Sequence, residues 1–216
     1  MTAVLLDLDG TLTDPKTGIT GSIRYALETL ELPVPTEAEL LRFIGPPLRD
    51  SFDRLFGDPV LTQRCLALYR ERFGTIGLYE NRVFDGVPAV LDTLRAAGYR
   101  LVLATSKPHV FARRILEHFG LASRFNAVHG AELDGTRANK AELIAHILTT
   151  EGIVPQSAVM IGDRLHDMQG AAANGMKAIG ALYGYGDEAE LMGAGAALTI
   201  ATPMEMPTAV KQLLPI

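Results

Sequence analysis

The sequence predicts an α/β fold built on a parallel sheet and interrupted once by a helical insert. Three observations point to it. Short apolar runs recur without strict alternation, which suits strands buried on both faces of a parallel sheet. Helical patterns of about 10–14 residues separate these runs, and several close at a glycine. One long stretch, residues 16–82, carries helical patterns and no convincing strand.

The elements follow in order. The first run is Ala3-Val4-Leu5-Leu6-Asp7-Leu8-Asp9-Gly10, which stops at a glycine. Four helical patterns make the insert, at 21–30, 36–44, 48–56 and 60–77. Ser22 is a candidate cap for the first. Thr36 and Glu39 open the second at capping-box spacing. The segment 87–97 has Pro88 in its first turn and Gly98 just past its end, the usual asymmetry of helix termini. A strand at 100–104 and a helix at 108–119 follow, then a weaker strand at 125–128 and a helix at 139–151. The run at 157–161 leads into Gly162-Asp163 and a helix at 165–174. Strands at 177–182 and 196–200 and a helix at 204–214 complete the chain. Strands alternating with helices imply βαβ units. The expected architecture is a Rossmann-like core of residues 1–15 and 83–216, with residues 16–82 inserted as a helical cap domain.

Composition narrows the function. The 216 residues are 48% hydrophobic, enough to build a core. With 25 acidic and 20 basic residues the net charge is −5, so a chain-wide basic footprint for nucleic acid is absent. The insert is neutral, with nine basic and nine acidic residues over 16–84, so the whole excess of acid lies in the core. One cysteine, Cys65, excludes an internal disulfide framework and a cysteine-based metal cluster. The first residues lack the basic and long apolar regions of a signal peptide, and no window reaches the ~18 apolar residues of a membrane span. A soluble, cytoplasmic protein acting on small molecules is expected, with no membrane or nucleic-acid partner.

In open parallel sheets ligands bind at the carboxyl ends of the strands. Asp7 and Asp9 follow the first run and, two apart, share one face of an extended chain. Gly10 and Thr11 offer a tight turn and backbone N–H groups suited to an anion. Thr105 and Ser106 follow the strand at 100–104, Lys140 opens a helix, and Asp163 and Asp167 follow the strand at 157–161. Taken singly, each has a plainer reading: turn residues or helix caps for the aspartates, Thr105 and Ser106, and a solvated surface for Lys140. Together, four carboxylates, a hydroxyl and an ammonium map to one sheet edge. Four carboxylates at one edge repel one another, and a hard divalent cation such as Mg²⁺ is the common remedy.

The segment Asp7-Leu8-Asp9-Gly10-Thr11-Leu12-Thr13-Asp14 resembles the first motif of the haloacid dehalogenase superfamily. Thr105, Lys140 and Gly162-Asp163-Arg164 with Asp167 resemble its second, third and fourth motifs, in order. Ser106 stands where the family often has Asn, and Ala141 where Pro often follows the lysine. The insert resembles the helical cap of the phosphoglycolate phosphatase-like branch. Phe43-Ile44-Gly45-Pro46-Pro47-Leu48 and Ala104-Thr105-Ser106-Lys107-Pro108 narrow the likeness to a subgroup described as 5′-nucleotidase-like.

The resemblance implies a Mg²⁺-dependent phosphatase acting on a small phosphate monoester, of the phosphoglycolate or nucleoside 5′-monophosphate class. Asp7 is then the nucleophile and Asp9 the general acid and base. Asp7, the Asp9 carbonyl and Asp163 hold the metal, with Asp167 beside them. Gly10, Thr11, Thr105, Ser106 and Lys140 bind the phosphate. In the arginine-bearing insert, Arg49, just after the Gly45-Pro46-Pro47 turn, is the first candidate for substrate selection, with Gly45. Asp9 and the acidic fourth motif argue against a dehalogenase. Lys16 is the insert's one lysine and no histidine precedes His109, which removes residues that phosphonate hydrolases and sugar phosphomutases need. A phosphomutase, a pyrophosphatase or a weak phospho-ligand binder are the alternatives. Tyr183 and Tyr185, spaced by glycines, are expected in a loop at a strand end.

Overall fold

The computed structural model describes residues 2–215, and the chain divides into two compact units. The first comprises Met1–Asp14 and Val83–Ile216, and the second Pro15–Arg82.

The first unit is an α/β layer structure. Its strands are β1 (Ala3–Leu6), β4 (Arg100–Pro108), β5 (Ala127–Ala131), β6 (Ala158–Gly162), β7 (Lys177–Ala181) and β8 (Leu198–Ile200). The two-residue strands β2 (Thr13–Asp14) and β3 (Arg82–Val83) mark where the chain leaves and returns. The six long strands form one parallel sheet in the order β5-β4-β1-β6-β7-β8. Helices α5 (Val87–Ala96), α6 (His109–His118), α7 (Lys140–Glu151), α8 (Leu165–Ala173), α9 (Glu188–Gly193) and α10 (Met206–Leu213) accompany it.

The double burial of the strands explains their unbroken apolar runs. Ala3 and Leu5 of β1, Val102 and Ala104 of β4, and Ala158 and Met160 of β6 share one cluster with Leu143, Ile144 and Ile147 of α7. The alternate residues Val4, Leu6, Leu101, Leu103, Val159 and Ile161 point to the opposite face and are equally buried. Register then sets the site. Leu6 is level with Leu103 of β4 and Ile161 of β6, so Asp7, Thr105 and Asp163 emerge together at the carboxyl edge of the three central strands.

The second unit holds α1 (Lys16–Thr29), α2 (Glu37–Leu41), α3 (Leu48–Phe56) and α4 (Pro59–Arg72), continued by a π-helical turn at Phe73–Gly77. Its core is built on Ile23, Leu27, Phe52, Leu66 and Phe73. The capping box at Thr36 forms: its amide donates to Glu39 Oε2 at 2.8 Å, and Glu39 donates its own amide to Thr36 Oγ1.

Several element bounds differ from expectation. α1 begins at Lys16, not near 21; Gly18 and Gly21 weaken the local helical signal, and packing within the unit overrides it. β4 runs on to Pro108, with a register irregularity between Thr105 and Pro108 that periodicity does not reveal. β5 starts at Ala127 and ends at Ala131. α9 is too short for a periodic signal; the Asp187 carboxylate caps it by accepting the Glu190 amide at 2.8 Å. Among the described residues no helix is long and apolar enough to cross a membrane.

Candidate active site

The site is built on three strand ends and one helix start. The Asp7 amide donates to the Ile161 carbonyl at 3.0 Å, so the nucleophile candidate is still held by the sheet ladder. Asp7 and Asp9 are both buried. Beyond them the chain folds back on itself. The Gly10 amide donates to the Thr13 carbonyl at 2.7 Å, and the Thr11 amide to the Leu8 carbonyl at 3.3 Å. The turn thus spends on itself the N–H groups that sequence reasoning offers to an anion. What Gly10 contributes is room: its φ is +80°, and an added Cβ would lie 2.0 Å from Asp163 Oδ2. Gly10→Ala is expected to displace Asp163, cost about 1–3 kcal/mol and remove activity. Urea unfolding and phosphate release, measured on the same preparation, check both effects.

Asp163 is fully buried and every oxygen of its side chain is directed. Thr11 Oγ1 donates to its Oδ1 at 3.2 Å, and the Tyr185 amide donates to its Oδ2 at 2.9 Å. The Gly186 amide holds its main-chain carbonyl at 3.0 Å. The loop Tyr183-Gly184-Tyr185-Gly186 presses on this aspartate so closely that a Cβ at Gly184 would sit 2.3 Å from the Asp163 Cβ. Tyr183 donates its hydroxyl to the Thr11 carbonyl at 2.9 Å, and Tyr185 donates its hydroxyl to the Asp14 carboxylate.

Lys140 opens α7, whose first amides, those of Ala141 and Glu142, are capped by the Asn139 side chain. Its buried ammonium donates to the Ala104 carbonyl at 2.9 Å. It also lies 3.0 Å from Asp7 Oδ1 and 2.7 Å from Asp167 Oδ1. Asp167 stands in the first turn of α8, where its Oδ2 accepts the Arg164 amide at 3.2 Å. Thr105 is buried and its Oγ1 accepts the Lys107 amide at 3.2 Å; Ser106, beside it, is half-buried.

Burial sets the electrostatics. It raises the Asp163 carboxyl well above the usual range, and the neighbouring Asp7 and Asp167 charges add to the shift. Burial also pushes Asp167 up to about 6, although Lys140 opposes it. Asp9 is raised by burial and pulled back by Lys107. Burial opposes the charge on Lys140, but Asp167 and Asp7 outweigh it and keep the ammonium protonated above its normal range.

Oxygens of Asp7, Asp163 and Asp167 lie within 4.8 Å of one another. Asp7 Oδ1 and Asp167 Oδ1 are buried, with the Lys140 ammonium 3.0 and 2.7 Å away. Three buried carboxylates converging on one point fit a hard divalent cation such as Mg²⁺.

The family model for haloacid dehalogenase-like hydrolases matches residues 4–181. The chain belongs to that family. A relative named 5′-nucleotidase, from Pseudomonas aeruginosa, is 51% identical over 189 residues, 87% of this chain and 86% of that protein. Tyrosine-protein kinase PtkA of Mycobacterium tuberculosis is 41% identical over 183 residues, 85% of this chain and 62% of that protein. The crystal structure of a predicted phosphatase from Clostridium acetobutylicum superposes with a TM-score of 0.94 at 40% identity, covering 98% of both chains. Within the haloacid dehalogenase-like family the chain is a phosphatase, a phosphoric monoester hydrolase.

The structure brings Asp7, Asp9, Thr11, Thr105, Lys140, Asp163 and Asp167 to one sheet edge. Arg49 and Gly45 belong to the helical unit, where Arg49 is half-buried and donates to Gln63 Oε1 at 2.9 Å. Sequence reasoning passed over two groups. One is the Tyr185 amide on Asp163. The other is Lys107, whose buried ammonium lies 2.8 Å from Asp9 Oδ1 and 2.6 Å from Oδ2. A signal for the lysine existed: it stands two residues past Thr105, at the same strand end.

Proposed function

We propose that this phosphatase is Mg²⁺-dependent and hydrolyses nucleoside 5′-monophosphates through an aspartyl-phosphate on Asp7. The observation that carries the reading is the pairing of two buried carboxylates with separate cations. Asp7 faces Lys140, Asp9 faces Lys107, and Asp163 and Asp167 stand beside Asp7.

Asp7 attacks phosphorus in line, and the bond to the leaving oxygen breaks with its electron pair going to that oxygen. Asp9 supplies the proton that makes the leaving group a neutral alcohol. In the second half Asp9 takes a proton from water as its oxygen attacks phosphorus, which frees Asp7 and inorganic phosphate. Lys140, Thr105 and Ser106 bind the phosphoryl oxygens that do not leave. Asp7, Asp163 and the Asp9 carbonyl would hold Mg²⁺, with Asp167 beside them. Bound there, the cation neutralises charge between nucleophile and phosphoryl group.

The relative named 5′-nucleotidase supports the choice of substrate, because its match spans nearly nine-tenths of this chain at 51% identity. The test is phosphate release from nucleoside 5′-monophosphates, phosphoglycolate, sugar phosphates and pyrophosphate. Nucleoside monophosphates are expected to show the highest kcat/KM. EDTA is expected to lower activity at least about 100-fold, with recovery on adding Mg²⁺. Preference for another substrate, isomerisation of a sugar phosphate, or transfer from ATP to a tyrosine would overturn the assignment.

A further inference from the structure

We propose that Lys107 is a positioning residue for Asp9, fixing the general acid at the leaving-group oxygen. The inference rests on the phosphatase reading and deepens it. The two buried lysines divide the carboxylates between them. Lys140 faces Asp7 and Asp167 and is tied to the Ala104 carbonyl. Lys107 straddles both oxygens of Asp9, at 2.8 and 2.6 Å, with both side chains nearly out of solvent.

A buried ammonium facing a buried carboxylate at this distance has little freedom to serve elsewhere, since separating the two leaves each charge unpaired. The backbone around Lys107 is built for the task. The Thr105 hydroxyl accepts the Lys107 amide, and a Cβ at Gly130 on β5 would sit 2.5 Å from the Lys107 carbonyl. The irregularity in β4 between Thr105 and Pro108 lies at this point. An undistorted strand would place Lys107 in the sheet ladder. Here the strand edge carries it to the first-strand turn, where Asp9 stands.

A positioning role through Asp9 has a signature that a general structural role lacks. The proton from Asp9 matters when the leaving group is a strongly basic alkoxide and hardly at all for p-nitrophenolate. Lys107→Met is therefore expected to lower the single-turnover rate of leaving-group release about 100-fold for ethyl phosphate or a nucleoside monophosphate, and the burst rate of p-nitrophenolate release from p-nitrophenyl phosphate by less than about 5-fold, while steady-state turnover falls on both because Asp9 also takes the proton of the attacking water. Asp9→Asn should show the same split. Lys107→Arg, which keeps a cation at the carboxylate, is expected to recover much of the lost activity on the alkyl substrate. Equal losses in the rate of leaving-group release from both substrates, or a rise in KM for both with that rate kept, would overturn the proposal and assign Lys107 to the phosphate itself.

A second measurement needs no turnover. In urea unfolding, Lys107→Met and Asp9→Asn should shift the midpoint non-additively, the double variant being no worse than the poorer single. Additive shifts also overturn the pairing. If the unaltered protein releases no phosphate from any substrate, the phosphatase reading fails, while the unfolding cycle still decides the fate of the Lys107–Asp9 pair.

Discussion

Asp7→Asn is expected to abolish turnover, lowering kcat by at least about 10⁴-fold, while leaving the fold intact. The amide is nearly the same shape as the carboxylate but a far weaker nucleophile. Its effect on stability should run the opposite way to its effect on rate. Asp7 raises the cost of ionising both Asp163 and Asp167, so in metal-free protein it stands in a cluster of like charges. Removing that charge relieves repulsion, and Lys140 still has Asp167 2.7 Å away. The thermal midpoint in EDTA should equal or exceed that of the unaltered protein, as at other sites where function and stability compete. Residual turnover above about one part in a thousand, in a preparation free of other phosphatases, would remove Asp7 from the nucleophile's role.

Lys140→Met is expected to damage both activity and stability. A buried cation that faces two carboxylates cannot be deleted without leaving charge unpaired, a loss of about 3–5 kcal/mol for a buried pair. The pH dependence identifies the cause. With Lys140 present, burial already raises Asp167 to about 6. Without it, the folded-state value rises further above the unfolded one. The folded protein then binds more protons than the unfolded chain, and stability falls as pH rises through the interval between the two values. The urea midpoint of the variant in EDTA should therefore be higher at pH 5 than at pH 8, by more than the unaltered protein shows over the same range. A parallel loss at both pH values would mean that Lys140 contributes packing and not charge.

Most of the core was legible because its signals are local. The runs at Ala3–Leu6 and Ala158–Gly162 are apolar on both sides of the strand, and only a covered parallel sheet makes use of that. Helix boundaries at Leu48–Phe56, Lys140–Glu151 and Leu165–Ala173 follow from caps and glycines within a few residues. Less was legible where long-range packing overrides propensity. α1 extends through Gly18 and Gly21, and α4 runs on into a turn of π geometry at Phe73–Gly77.

By itself the sequence singled out the candidate residues for the chemistry. Asp7 and Asp9 share a strand-end spacing, and Thr105, Lys140 and Asp163 stand at the start or end of their own elements. Those are properties of neighbours in the chain. Only the tertiary structure decided how the charges are paired. Lys107 meets Asp9 across 98 positions, Thr11 meets Asp163 across 152, and Tyr185 reaches back to Asp163 and Asp14. The physical reason is the strand order. It places β4, β1 and β6 side by side, so that groups with no local signal of partnership come within hydrogen-bond reach in a medium where an unpaired charge is costly.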